Sequence, residues 1–187
     1  MEYRPRRKWR PYLQQGDLLM GVPVVEWPPV LFVLRGAQAG RPPQPGDILE
    51  VLDAATSPDA FADGEDLIVA NALLSTVLLV SSTCDIEHRE KILVVPVLPI
   101  DVIDNAARAE ATRQDKVYHR FFMPGFRSTG PHGDVVLPDS FAELALLNSV
   151  PRDRIPLALR INSLTERARN LLKAKLTTFL ARPEPAE

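Results

Sequence analysis

Short apolar runs, separated by proline, glycine and charged residues, fill the first third of the chain. Four runs have the length of β-strands: 18–25, 30–34, 48–52 and 67–72. Prolines at 23, 28, 29, 42, 43, 45 and 58 interrupt or separate them. Because a proline cannot donate to a β ladder and rarely sits inside a helix, long elements are excluded here. The pattern predicts short strands of the kind found in a small barrel or sandwich.

Two further apolar runs, 77–80 and 92–97, flank the polar segment CDIEHRE. Each run has strand length, and the connection is too short and too charged for a helical crossover, which favours an antiparallel hairpin. The hairpin would present Cys84, Asp85, Glu87 and His88 together at one end of the sheet. Catalytic and binding residues commonly lie on loops held by a rigid scaffold, so we expect a functional site in this loop.

The character of the sequence changes after residue 99. Residues 104–116 are rich in alanine and charge and predict an exposed helix, inserted between strands and capped by Asp104. A strand is predicted over 117–123 and a short one over 135–137, with a mobile loop over 124–134 between them.

The C-terminal region predicts an amphipathic helix over 163–181. Ser163 and Glu166 match a capping box, in which each side chain satisfies a free amide of the first turn. Apolar residues then repeat at helical spacing: Leu164, Ala168, Leu171, Leu172, Leu176, Phe179 and Leu180. We expect this stripe to pack on the core rather than bind a partner, with Leu171, Leu172, Leu176 and Phe179 each largely buried.

Composition narrows the class of protein. The 187 residues are 45% hydrophobic and 25% charged, which suits one soluble domain of ordinary size. The net charge of −2 gives no overall attraction to nucleic acid or to anionic membranes, and no apolar run approaches the ~18 residues of a membrane span. A single cysteine fits a reducing cytosol. We predict a cytoplasmic protein with a basic tail over 1–14, one domain over 15–182 and a disordered tail over 183–187.

Three segments resemble the MazF/PemK-like toxin family: GDILEVLD, then VLLVSS, then ILVVPV. The resemblance covers roughly 46–97, with a looser similarity from 135 onward. It implies a prokaryotic protein with an α+β, mostly β fold: a small antiparallel SH3-like barrel carrying the inserted helix and the C-terminal helix. It also implies toxin–antitoxin or defence biology, RNA binding or cleavage, an antitoxin-like protein partner and a homodimer.

Two departures bear on the activity that the resemblance implies. Family nucleases usually carry arginine-proline before the second strand, whereas this chain has Leu74, Ser75 and Thr76 there. They also carry a threonine at the position where this chain has Leu98-Pro99. Arginine and threonine would stabilise the transition state and orient the attacking hydroxyl. The family's catalytic residues are therefore not intact. Whether the protein is an enzyme stays open, and a non-enzymatic protein-binding module is the first alternative.

The second alternative is a cysteine- or metal-dependent enzyme with Cys84, Asp85 and His88 as its catalytic residues. A nucleophilic cysteine needs a base, and His88 or His119 would supply it, with Asp85 or Glu87 orienting the imidazole. Metal ligation would use Cys84, His88 and either His119 or Asp85. The favoured interpretation is that Cys84 packs as a small apolar residue at a strand end. No metal-ligand spacing is present, so we predict neither a metal nor a cofactor.

The basic N-terminus is a candidate for RNA binding. Arg6, Arg7 and Lys8 would contact phosphates while Trp9 stacks on a base, although a solvated basic tail explains the same residues. Three arginines near the last helix form another candidate anion site: Arg152, Arg154 and Arg160. Salt bridges to Asp153 and Glu166 are the competing explanation.

Overall fold

The computed structural model describes residue 3 and residues 9–26, 30–35, 48–53, 67–69, 71–130 and 133–181. These form two compact units, one from residues 1–24 with 74–187 and one from 25–73. The strands are β1 (Asp17–Glu26), β2 (Val30–Arg35), β3 (Ile48–Asp53), β4 (Leu67–Val69), β5 (Asn71–Leu79), β6 (Lys91–Pro99), β7 (Arg120–Met123), β8 (Phe126–Gly130), β9 (Gly133–Leu137), β10 (Ser140–Glu143), β11 (Asn148–Pro151) and β12 (Arg160–Ser163). The α-helices are α1 (Thr83–His88), α2 (Ala106–Arg113) and α3 (Glu166–Leu180).

The larger unit is built on a seven-stranded sheet with the order β12-β1-β5-β6-β10-β7, in which β11 also pairs with β6. The pairings of β6 with β5, β10 and β11 are all antiparallel, so the predicted hairpin of β5 and β6 is confirmed. The predicted α+β, mostly β class is also confirmed. The predicted closure into an SH3-like barrel is wrong, because β12 and β7 end the sheet instead of pairing in the described part of the chain.

The sheet is covered on both faces, which explains its nearly continuous apolar strands. Side chains alternate between two cores along β1, where Leu18 joins one cluster and Leu19 the other. On the first face Ala168 and Leu172 of α3 complete the core. On the second face Ile86 of α1 does so. A small closed barrel encloses a single core, whereas this open sheet separates two.

Proline 96 lies in the middle of β6, where a missing N–H would normally break a ladder. On one side Pro96 is opposite Val77 of β5. On the other side β11 pairs only with residues 91–94 and β10 only with residues 97–99. Pro96 therefore sits at the junction of two neighbouring strands, where no donor is required.

A buried ion pair connects the two strands at one end of the sheet. Arg160 of β12 donates to the carboxylate of Asp17 of β1 at 3.2 Å, and both side chains are buried. Arg160 also donates to the main-chain oxygens of Arg10 and Tyr12, and its guanidinium covers one face of Trp9 at 4.9 Å. The segment leading into β1 is therefore packed against β12, and Arg160 is not free to bind an anion.

Gly16 makes the sharp turn before β1. Its φ of +84° lies in the left-handed region that favours glycine. A β-carbon here would come within 2.7 Å of the Arg169 side chain, so space as well as backbone conformation requires glycine.

The C-terminal helix is confirmed, but its first turn differs from the prediction. Thr165, not Ser163, is the N-cap, and its hydroxyl accepts from the main-chain N–H of Ala168. Ser163 remains in β12, paired with Asp17, because the strand continues to that residue. Within the apolar stripe Leu172 is buried as predicted, but the prediction for Leu171 is wrong, since half of its surface is exposed. The stripe's Leu176 and Phe179 are partly buried.

The inserted helix is also confirmed, as α2. Its N-cap is Asn105 rather than Asp104, and the Asn105 side chain accepts from the main-chain N–H of Arg108. The region predicted as a mobile loop instead contains the antiparallel hairpin of β8 and β9. His132 lies outside the described residues.

The smaller unit contains a three-stranded antiparallel sheet with the order β3-β2-β4. Its strands lie where the proline-separated apolar runs predicted them. The prediction of a single domain over 15–182, with tails at both ends, stays a prediction. Among the described helices, none combines the length and the apolarity needed to cross a membrane.

Candidate functional site

The polar segment between β5 and β6 is a short helix, α1, rather than the predicted loop. Ser82 caps it: its hydroxyl accepts from the main-chain N–H of Asp85 at 3.1 Å and donates to the Asp85 carboxylate at 2.7 Å. Asp85 also lies 3.8 Å from Arg89. Asp85 is therefore occupied in stabilising the helix, and Cys84 beside it is an exposed free cysteine.

A cavity of about 880 Å³ lies beside α1, and we name it the His88 cavity. Leu13, Ile86 and Ile155 contribute apolar surface, and Cys84 is not among its lining residues. Three cationic and three anionic side chains also line it: Arg89, Lys91 and Arg152 with Glu87, Glu90 and Asp153. The formal charges of these six side chains balance.

The structure does not bring the predicted histidines together. His119 lies just before β7 and lines a different cavity from His88. Over the described ranges, no group of three or more histidine, cysteine, aspartate or glutamate side chains is placed to hold a metal ion. The metal set of Cys84, His88 and His119 is therefore not assembled.

The second cavity has a volume of about 670 Å³, and we name it the His119 cavity. This volume is within the range of about 300–1,000 Å³ typical of small-ligand sites. Its polar side chains come from the segment before α2, the starts of α2 and β7 and the end of β10: Asp104, Asn105, Arg108, His119, Arg120 and Glu143. Apolar and aromatic side chains surround them: Val102, Tyr118, Phe141, Leu146 and Phe179.

Glu143 is the buried polar centre of the His119 cavity. It is 7% exposed, and the antiparallel register places it directly opposite Arg120. The Nε of Arg120 donates to Glu143 Oε2 at 3.0 Å. The Nε2 of His119 lies 3.8 Å from Oε1, beyond hydrogen-bonding distance. Among the described residues, Oε1 has no hydrogen-bond partner although it is buried.

The pair of Arg120 and Glu143 is held rigidly. The guanidinium of Arg120 lies over the ring of Phe141 at 4.8 Å from its centroid, and Phe141 is two residues before Glu143 on the same face of β10. The main-chain oxygen of His119 accepts from Leu144 N–H at 2.8 Å. Both the charged pair and the neighbouring histidine are therefore positioned by strand pairing.

Tyr118 forms the exposed aromatic wall of the cavity. It is 45% exposed and meets His119 edge-on, with ring centroids 4.8 Å apart. It also stacks on Phe179 of α3, with ring centroids 6.2 Å apart. This arrangement presents aromatic surface beside Arg108 and Arg120.

Comparison with known proteins gives no matching family model and no curated protein of significant similarity. The resemblance to MazF/PemK-like toxins therefore stays a prediction, and the geometry of the cavity has to carry any functional argument.

The sequence pointed to His119 only as a helper of Cys84, and it did not reveal Tyr118, Arg120 or Glu143 as site residues. The strand period offers a partial signal, because Phe141 and Glu143 must share one face of β10. The register that sets Glu143 opposite Arg120 cannot be read from that period. Among the N-terminal candidates, Arg6, Arg7 and Lys8 lie outside the described residues, and Trp9 packs against Arg160.

Proposed function

We propose that the protein binds single-stranded RNA through the His119 cavity, in the toxin-like or defence-associated role that its resemblance to MazF/PemK-like proteins implies. The observation that carries this proposal is the exposed Tyr118 ring in one cavity with Arg108 and His119. Aromatic faces stack on unpaired bases, and cations neutralise the phosphates that connect them.

Each side chain has a distinct part in this proposal. Tyr118 supplies the stacking surface, and Phe179 behind it keeps the ring in place. Arg108 is exposed at the start of α2 and meets the phosphate backbone. His119 is the residue suited to move a proton if bound RNA is also cut, because an imidazole can both accept and donate a proton.

Fluorescence anisotropy with a labelled 12-nucleotide RNA of mixed sequence tests the proposal. Tyr118→Ala should weaken binding about tenfold, the loss expected for one stacked base. Arg108→Ala should lower the slope of log affinity against log salt by about 0.7, the value for one phosphate contact on a single strand. Arg127→Ala is the matched control, since it removes an exposed arginine of β8 that does not line the cavity.

The same samples, run on a denaturing gel, show whether the bound RNA is cut. Loss of cutting in His119→Ala but not in His88→Ala would assign that step to the His119 cavity. The reverse pattern would assign it to α1, as the sequence suggested. If the protein binds no RNA at low salt, the proposal fails and the protein-binding module remains.

A further inference from the structure

The His88 cavity combines apolar surface with charges of both signs, and the proposed RNA binding makes no use of it. From this arrangement we propose that the cavity binds a short apolar peptide with a free ammonium at one end and a free carboxylate at the other. Among the described residues, none lines both this cavity and the His119 cavity. The inference therefore does not rest on the proposed RNA binding.

The apolar surface of the His88 cavity belongs to the core on the second face of the sheet. Ile86 and Ile155 are buried members of that core, and the half-buried Leu13 packs against it. Leu157, which also lines the cavity, is exposed. The volume of about 880 Å³ is in the upper part of the range of about 300–1,000 Å³ typical of small-ligand sites. A ligand with apolar side chains and the size of a dipeptide or tripeptide suits this cavity.

The three segments that form the cavity are each held in place. The N–H of Arg152 donates to the main-chain oxygen of Glu90 at 2.8 Å, just beyond the pairing of β11 with β6. Arg160 holds residues 10–12 through two of their main-chain oxygens. The third segment is α1, which is anchored by the buried Ile86. A site with fixed walls loses little conformational entropy when a ligand binds.

The six charged side chains of the cavity are exposed, so a ligand can reach them. Within the described part of the chain, five of the six form no ion pair, and the sixth, Arg89, lies 3.8 Å from Asp85. Glu87 lies on α1, whereas Arg152 follows β11, so an anionic and a cationic group stand on different walls. A ligand of one charge sign would be attracted by half of the six groups and repelled by the other half. A peptide with free ends carries both signs, separated by its backbone.

The two ends of the peptide are assigned to these two side chains. Arg152 receives the carboxylate, because a guanidinium can donate two parallel hydrogen bonds to it. Glu87 receives the ammonium, which can only donate and therefore needs an acceptor. The apolar side chains of the peptide then lie on Ile86 and Ile155.

Isothermal titration calorimetry with leucyl-leucine and two blocked forms tests the proposal. Leucyl-leucine amide lacks the carboxylate and N-acetyl-leucyl-leucine lacks the ammonium. Each should bind the wild-type protein about tenfold more weakly than leucyl-leucine, the loss expected for one charge-assisted hydrogen bond. Free leucine carries both charges without the separation between them, and it should also bind about tenfold more weakly.

Variants of the two charged residues test the assignment of the ends. Arg152→Gln should weaken the binding of leucyl-leucine about tenfold and leave that of the amide unchanged, because the amide has no carboxylate to lose. Glu87→Gln should weaken leucyl-leucine and leave the N-acetyl form unchanged. Arg127→Ala, the exposed control outside the cavity, should bind every ligand as the wild-type protein does.

The outcomes that overturn the proposal are distinct. No binding of leucyl-leucine, or equal binding of its charged and blocked forms, would overturn it outright. Free leucine that binds as tightly as leucyl-leucine would replace the peptide by an amino acid. Equal weakening of leucyl-leucine and its amide by Arg152→Gln would overturn the assignment of Arg152, and the N-acetyl form tests Glu87 in the same way. None of these results bears on RNA binding in the His119 cavity.

Discussion

Lys175 of α3 donates to Asp115 twice, to its main-chain oxygen at 3.1 Å and to its carboxylate at 2.5 Å. Asp115, with φ of 58°, is the one non-glycine residue of the described chain that has a positive φ. One turn further along α3, Phe179 stacks on Tyr118. The C-terminal helix thus contacts the segment that carries Tyr118 and His119 at two points, one at Asp115 and one at Tyr118. These contacts link the helix to the candidate site.

Replacing Lys175 by Met removes both hydrogen bonds while keeping the long apolar stem. Because the Lys175 side chain is only 10% exposed but the Asp115 side chain is 44% exposed, we expect a loss of about 1–2 kcal/mol in the free energy of unfolding. Urea unfolding measures it. Adding Asp115→Gly to this variant should recover part of the loss, because glycine accepts a positive φ without strain. A double variant less stable than Lys175→Met would contradict this explanation.

The C-terminal helix offers a matched pair of leucines for testing its packing. Leu172 is fully buried in the core shared with the sheet, whereas the adjacent Leu171 is 50% exposed. Leu172→Ala should lower the free energy of unfolding by about 2–5 kcal/mol, and Leu171→Ala by no more than about 0.5 kcal/mol. Chemical denaturation of both variants measures the two changes in the free energy of unfolding. Similar losses for the two would mean that α3 packs differently from the structure.

The buried Asp17 predicts a dependence of stability on pH. Burial raises the pKa of its carboxyl above the ordinary value of 3.8, and the Ser163 hydroxyl, the Gln14 N–H and the Arg160 guanidinium offset only part of this effect. The folded protein therefore holds the proton more tightly than the unfolded chain. The resulting stabilisation is present below the unfolded pKa and is lost as pH rises through the folded pKa.

Asp17→Asn has no such proton to lose, so it is the reference for this effect. Between about pH 4 and pH 7 the wild-type protein should lose stability relative to Asp17→Asn. Urea unfolding of both proteins at successive pH values measures the difference. A wild-type protein that gains stability over this range relative to the variant would contradict the prediction.

The sequence predicted the strands before residue 100 well because their signal is local, but it did not predict β8, β10, β11 or β12. Apolar runs bounded by proline and glycine located β1, β2, β3, β5 and β6, and the helical stripe located α3. The position of a helix cap and the closure of a sheet, in contrast, depend on neighbours that are distant in sequence. Ser163 fits a capping box locally, but pairing with Asp17 keeps it in β12. The open sheet likewise follows from covering both faces, which no local pattern reveals.

The candidate site was less predictable than the fold because its residues meet only through contacts distant in sequence. The prediction favoured Cys84, Asp85 and His88 because the segment CDIEHRE is rich in polar side chains. In the structure, however, Asp85 is hydrogen-bonded to the N-cap Ser82 in the first turn of a short helix. Arg120 and Glu143 are 23 residues apart and meet only through strand register. The three proposed catalytic residues of α1 and the basic residues 6–8 stay predictions. Mapping the site of RNA contact distinguishes them from the His119 cavity.

Ultraviolet crosslinking of the wild-type protein to a mixed-sequence single-stranded RNA, followed by peptide mapping after trypsin digestion, tests the central claim most directly. Cleavage after Lys116 and Arg120 releases the short peptide VYHR, which carries both Tyr118 and His119. We predict that this peptide carries the main RNA adduct and that an excess of unlabelled RNA prevents its formation. Adducts confined to the N-terminal peptides around Trp9, or to the peptide that ends at Arg89, would contradict RNA binding in the His119 cavity.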